Sequence, residues 1–110
     1  MKIAFILPTY NDEDNLLKLI HNIQEHLNTS NYNLNFLIIN DGSNKKFDIV
    51  NQIKNSTQIN LKNNVGNQKA ISIGLRHLKE TNENFEYIFV MDSDGEDDPK
   101  YLLKLLDQAI

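Results

Sequence analysis

The distribution of apolar residues constrains the fold of this chain more than any other feature. Three short, unbroken apolar runs, at residues 3–7, 36–39 and 87–91, alternate with stretches in which apolar residues recur at helical spacing. Unbroken runs of this length fit strands covered on both faces, and their alternation with helical stripes is the pattern of β-α-β units around a parallel sheet. A weaker strand fits residues 58–61. Leu16, Ile20, Ile23 and Leu27 fall on one helical stripe between the first two runs. Asn11 or Asp12 is placed to cap that helix, and Asp12, Glu13 and Asp14 lie in or near its first turn, where the helix dipole favours negative charge. Phe47, Val50 and Ile53 predict a short second helix; Ala70, Ile71, Gly74, Leu75 and Leu78 predict a third. Pro99, with Asp98 as cap, opens a fourth that continues through Leu102, Leu103, Leu105, Leu106 and Ile110. The expected fold class is α/β, a mostly parallel sheet of about four strands with helices on both faces.

Composition removes several function classes. The length of 110 residues and 40% hydrophobic content fit one core, which buries roughly two-thirds of the unfolded surface at this size. A net charge of −4, with no basic cluster larger than a pair, gives no electrostatic footprint for nucleic acid. The absence of cysteine excludes disulfides, thiolate zinc sites and cysteine nucleophiles. The first apolar run stops at Pro8, too short for a signal peptide, and no segment approaches the ~20 apolar residues of a membrane span. A soluble cytoplasmic chain is expected, with the inner face of a membrane as a compatible location. Asparagine occurs 17 times, so any single asparagine match carries little weight. There is no internal repeat or linker, and the last helix reaches Ile110 without a C-cap signal, so a domain truncated at its C-terminus is expected.

The polar residues collect where each predicted strand ends. The first runs into Pro8-Thr9-Tyr10-Asn11-Asp12, the second into Asn40-Asp41-Gly42-Ser43, the third into Lys62-Asn63-Asn64-Val65-Gly66, and the fourth into Asp92-Ser93-Asp94. In an open α/β sheet ligands bind outside the carboxyl ends of the strands, so parallel strands would bring these four clusters to one rim. Asp92 and Asp94, two apart, project to the same side if strand geometry persists, and two such carboxylates can hold Mg²⁺ or Mn²⁺ with Glu96 as a third oxygen donor. An EF-hand fails, because counting from Asp92 its sixth and twelfth positions hold Asp97 and Leu103.

Each feature also has a plainer explanation. An isolated Asp-x-Asp is commonly a solvated turn, and Asp97 and Asp98 fit a helix cap and first turn. Asp41-Gly42-Ser43 fits a turn into a capped helix, Asn64 and Gly66 fit a turn with Gly66 supplying a positive φ, and Ala70 and Gly74 fit close helix-to-sheet packing. His21, His26 and His77 have no metal-ligand spacing.

The stretches ILPTYNDEDNL, IINDGS, NNVGNQKAISIGL and VMDSDGEDDP, in this order, resemble the inverting family 2 glycosyltransferases of GT-A fold, over residues 2–106. The last two stretches are most similar to the branch containing dolichyl-phosphate mannose synthase and bactoprenol glucosyltransferase. The resemblance implies a Rossmann-like GT-A half, with residues 1–110 as the nucleotide-sugar-binding domain. It implies a base-holding segment at Pro8, Tyr10 and Asp12, where the family usually has Glu at the last position. It implies a base-recognising acid at Asp41, preceded by Asn40 where another Asp is frequent. It further implies metal binding at Asp92 and Asp94, with Glu96 where this branch often has Gln. The nucleotide-sugar-binding set so implied is Pro8, Thr9, Tyr10, Asp12, Asp41, Asn64, Gly66, Lys69, Asp92 and Ser93. Asn63 departs from a frequent Arg, with Lys62 beside it. A compact ammonium does not reproduce a bidentate guanidinium.

The activity implied is metal-dependent transfer of a sugar from a UDP- or GDP-linked donor to an acceptor such as a polyprenyl phosphate or a glycan. No residue is assigned as catalytic base. Two other readings compete: a non-catalytic nucleotide-binding module or remnant without an acceptor site, and a receiver-like signalling domain, which would need a Lys after a further strand.

Overall fold

The computed structural model describes residues 1–27 and 32–93, together with Lys104 and Gln108, both helical. Four strands and two helices alternate: β1 (Lys2–Thr9), α1 (Glu13–His26), β2 (Asn33–Asn40), β3 (Ser56–Asn60), α2 (Asn67–Glu80) and β4 (Tyr87–Val90). The strands form one sheet in the order β3-β2-β1-β4, with every pairing parallel. The four strand runs read from the sequence are the four strands of the sheet. The expected helix from Pro99 falls largely outside the described residues, as do Asp94 and Glu96.

The two helices cover opposite faces, and the alternation of side chains along β1 shows why. Ile3, Phe5 and Leu7 face α1, where they pack with Leu16, Leu19, Ile20 and Ile23 and with Phe36 and Ile38 of β2. Ile6, with Leu37 and Ile39 of β2, faces Ala70 of α2. The register places Phe5 opposite both Phe36 and Phe89, and the Phe5 ring stacks on them at centroid distances of 5.4 and 5.6 Å. Such aromatic pairs contribute about 0.5–1.5 kcal/mol each beyond the area they bury. On the other face α2 approaches closely at Gly74, where an added Cβ would stand 2.9 Å from Cγ2 of Ile6. Ala70 and Gly74 therefore serve helix-to-sheet packing.

Three expectations are corrected. Residues 47–53 form turns with one α-like turn, closed by the Ile53 amide on the Ile49 carbonyl (2.8 Å), in place of a helix. Gln58 of β3 holds the segment from the sheet: its Oε1 accepts from the Ile49 amide (2.8 Å), and its Nε2 donates to the Phe47 carbonyl (2.8 Å), the group that a helix would pair with the amide four residues on. Ile49 and Ile53 are buried, whereas Val50 is 49% exposed. The N-cap of α1 is Asp12, and its carboxylate accepts from Asn15 Nδ2 (2.8 Å) while making no bond to a backbone amide. Finally, β4 is an edge strand, and its residues Ile88 and Val90 are exposed on the α2 face, so the run at 87–91 is covered on one side only among the described residues.

Strand order and register together set the functional rim. The chain builds outward from β1 to β2 and β3, then returns to the other side of β1 for β4, so the order reverses between β1 and β4. Thr9 pairs with Asn40, and Asn40 with Asn60, which puts three carboxyl ends level. Val90 pairs with Ile6, so Asp92 and Ser93 continue to the height of Pro8 and Thr9.

Candidate functional site

The reversal between β1 and β4 opens a crevice of about 170 Å³ lined by Pro8, Thr9, Tyr10, Asp12, Asn67, Asp92 and Ser93. Six of these were expected from the sequence to lie at a ligand site; Asn67 was not. Thr9 and Ser93 form the floor. Both are buried, and the Ser93 hydroxyl donates to Thr9 Oγ1 at 3.2 Å, which joins β4 to β1 beyond their last ladder bond. The two hydroxyls thus line the floor as a bonded, buried pair. Tyr10 stands at the edge, 48% exposed, as a ring over which a planar group can lie.

Asp92 enters half-buried from the end of β4, and its Oδ1 accepts a hydrogen bond from Asn67 Nδ2 at 3.0 Å. Asn67 is the first residue of α2, so the amino end of that helix faces the carboxylate. The first turn of α2 contains no acid, and Lys69 lies in it, exposed and outside the crevice lining.

A second group surrounds Asp41, which is only 2% exposed. Its Oδ1 accepts from the Val65 amide (2.7 Å), and its Oδ2 accepts from the Gly66 amide (3.0 Å) and Asn64 Nδ2 (3.2 Å). Asp41 thus clamps the loop that leads into α2, in place of the turn into a following helix that the sequence left open. A carboxylate has about four acceptor positions. Among the described residues one position on Oδ1 has no donor. Gly42 makes the clamp possible: its φ is +74°, and a Cβ there would fall 2.5 Å from the Asn64 nitrogen and 2.6 Å from the Asn63 carbonyl carbon. Gly66 has φ +90° with open space around it, so its requirement is conformational.

Further bonds tie these loops together. Asn40 Oδ1 accepts from the Ser43 backbone amide (3.2 Å), and Asn40 Nδ2 donates to Asn60 Oδ1 (3.0 Å), a donor role that an Asp could not fill. The Asn11 amide donates to Ser43 Oγ (2.9 Å), and Asn11 Oδ1 accepts from the Asn44 amide (2.7 Å). No buried side-chain nitrogen or oxygen among the described residues lacks a hydrogen-bond partner. A larger cavity of about 450 Å³ lies between the same two loops, lined among others by Asp12, Glu13, Asp14, Lys45 and Phe47. It shares only Asp12 with the crevice and lies away from the reversal point.

Among the described residues no group of three or more His, Asp or Glu side chains could hold a metal by itself. Asp92 is the described member of the expected metal set. Its oxygen chemistry fits a hard cation bound through one or two carboxylates and completed by a ligand's phosphates, the usual arrangement for Mg²⁺.

A family model described as glycosyl transferase family 2 matches residues 4–110. The chain belongs to glycosyltransferase family 2. An uncharacterized glycosyltransferase of Synechocystis sp. is 26% identical to this family 2 chain over 113 residues, covering 98% of the chain and 34% of the relative. The chain thus spans about a third of the length of that relative. The crystal structure of S. aureus TarS 1-349 superposes with a TM-score of 0.68 at 22% identity, over 97% of this chain and 32% of that one. A second crystal structure of S. aureus TarS gives a TM-score of 0.63 at 22% identity, over 98% and 20%. These likenesses identify the architecture as the Rossmann-like GT-A fold. No helix among the described residues is long and apolar enough to cross a membrane.

Proposed function

We propose that this family 2 chain binds a nucleotide diphosphate sugar, UDP- or GDP-linked, at the β1/β4 crevice, as the donor half of an inverting glycosyltransferase. The observation that carries the reading is the convergence of Tyr10, Asp12 and Asp92 on one crevice where the strand order reverses. Tyr10 presents a ring on which the base stacks. Asp41 receives a ring N–H, either at the remaining position on Oδ1 or at the place now taken on Oδ2 by the exposed Asn64 amide. Asp92, with Asp94 and Glu96, holds Mg²⁺ or Mn²⁺ against the diphosphate. When bound, that cation neutralises charge developing on the departing nucleotide diphosphate. Lys69, exposed on the first turn of α2, adds positive charge at the amino end of that helix.

The acceptor is a polyprenyl phosphate or a glycan, in line with the resemblance to the dolichyl-phosphate mannose synthase branch, and the place of action is the cytoplasmic face of the cell envelope. Calorimetric titration with UDP and with GDP in the presence of Mn²⁺ tests the reading. Saturable binding of one of them is expected; a folded chain that binds neither refutes it.

A further inference from the structure

Asn67 is the one residue lining the crevice to which neither the strand-end clusters nor the family resemblance gives a role, and its side chain reaches the carboxylate on which cation binding would depend. We infer that Asn67 is a positioning residue that sets the orientation of the Asp92 carboxylate for a divalent cation; this rests on the donor-binding reading above.

Three observations lead there. The Asn67 Nδ2 donates to Asp92 Oδ1 at 3.0 Å across 25 positions of sequence, and because an ionised carboxylate only accepts, the amide must present its nitrogen. Asn67 is itself held, because the preceding Gly66 amide donates to Asp41 Oδ2 at 3.0 Å and Gly66 is the N-cap of α2. A continuous set of bonds therefore runs from the end of β2, through the start of α2, to the end of β4. The chemistry of the side chain also fits: a neutral carboxamide orients a carboxylate through one N–H, whereas a Lys at the same place would pair with its charge and compete with a cation. Groups that hydrogen-bond metal-ligating side chains from behind are commonly needed for about 10- to 100-fold of the metal affinity.

The test is the cation affinity of Asn67→Ala, a substitution at an exposed position, with thermal unfolding as the check on the fold. With UDP or GDP saturating, Mn²⁺ binding followed by electron paramagnetic resonance is expected to weaken about 10-fold or more. Nucleotide affinity in EDTA is expected to stay at the wild-type value, and Asn67→Ala is expected to add nothing in an Asp92→Asn background. Unchanged Mn²⁺ affinity overturns the inference. So does a fall in nucleotide affinity in EDTA, since it makes Asn67 a direct ligand contact. A wild-type chain that binds neither nucleotide nor Mn²⁺ overturns the donor-binding reading itself. A wild type that binds both, with Asn67→Ala its equal, overturns only the role of Asn67.

Discussion

Asp41→Asn isolates the clamp at the start of α2. The change is nearly isosteric, so it opens no cavity, and its cost reports hydrogen bonding alone. Asp41 is 2% exposed and accepts two backbone amides, from Val65 at 2.7 Å and Gly66 at 3.0 Å, one on each carboxylate oxygen. A hydrogen bond to a charged group contributes about 1.5–3 kcal/mol, against about 1 kcal/mol for a neutral one. Asparagine keeps a single oxygen, so one amide loses its acceptor and meets an NH₂ group, while the other retains a weakened bond. The expected loss is about 3 kcal/mol, which for a domain near this size lowers the melting temperature by roughly 12 °C. Urea unfolding of the ligand-free protein measures it, with an unchanged denaturant slope showing that stability, and not the extent of unfolding, has altered. A loss below about 0.5 kcal/mol, half the worth of one neutral bond, would refute the clamp as a determinant of this fold.

Three further outcomes are expected. Gly42→Ala combines a left-handed φ with a Cβ placed 2.5 Å from the Asn64 nitrogen, and should destabilise by about 2–4 kcal/mol in urea unfolding. Gln58→Ala removes the acceptor of the Ile49 amide and a donor to the Phe47 carbonyl; a loss of about 2 kcal/mol is expected, with faster hydrogen exchange at the Ile49 amide as the local readout. The double substitution Asp92→Ala, Asp94→Ala should weaken Mn²⁺-dependent binding of UDP or GDP by at least about tenfold in calorimetry while leaving the melting temperature near the wild-type value.

The core was legible because its signal is local. Continuous apolar runs marked β1, β2 and β4, a weaker signal at residues 58–61 marked β3, and the stripe from Leu16 to Leu27 marked α1. Leu75 shows the limit, since it matches helical spacing in α2 and is nevertheless 45% exposed. Runs of apolar residues also do not distinguish a central strand from an edge strand, so Ile88 and Val90 read as covered although the topology places β4 at the edge. The segment 47–53 was misread because what decides it is a polar side chain nine to eleven positions away, Gln58, which helical periodicity does not register. At the site, the carboxyl-end clusters were visible as composition, whereas their division of labour was not. Thr9 and Ser93 bond to each other on the floor, and Asp41 bonds to the loop before α2. Asn67 was hidden for two reasons: asparagine is abundant throughout the chain, and its partner Asp92 lies 25 residues further on.

The proposed function implies a location as well as an activity: nucleotide and cation would meet at the β1/β4 crevice. Two-dimensional amide NMR of the ¹⁵N-labelled chain, titrated with UDP or GDP and Mg²⁺ and then exchanged into Mn²⁺, tests it most directly. Shifts are expected at Tyr10, Asp12, Val65, Gly66 and Asn67, with paramagnetic broadening centred on Asp92, Ser93 and Asn67. Shifts confined to the cavity lined by Glu13, Asp14, Lys45 and Phe47, with no broadening near Asp92, would contradict it.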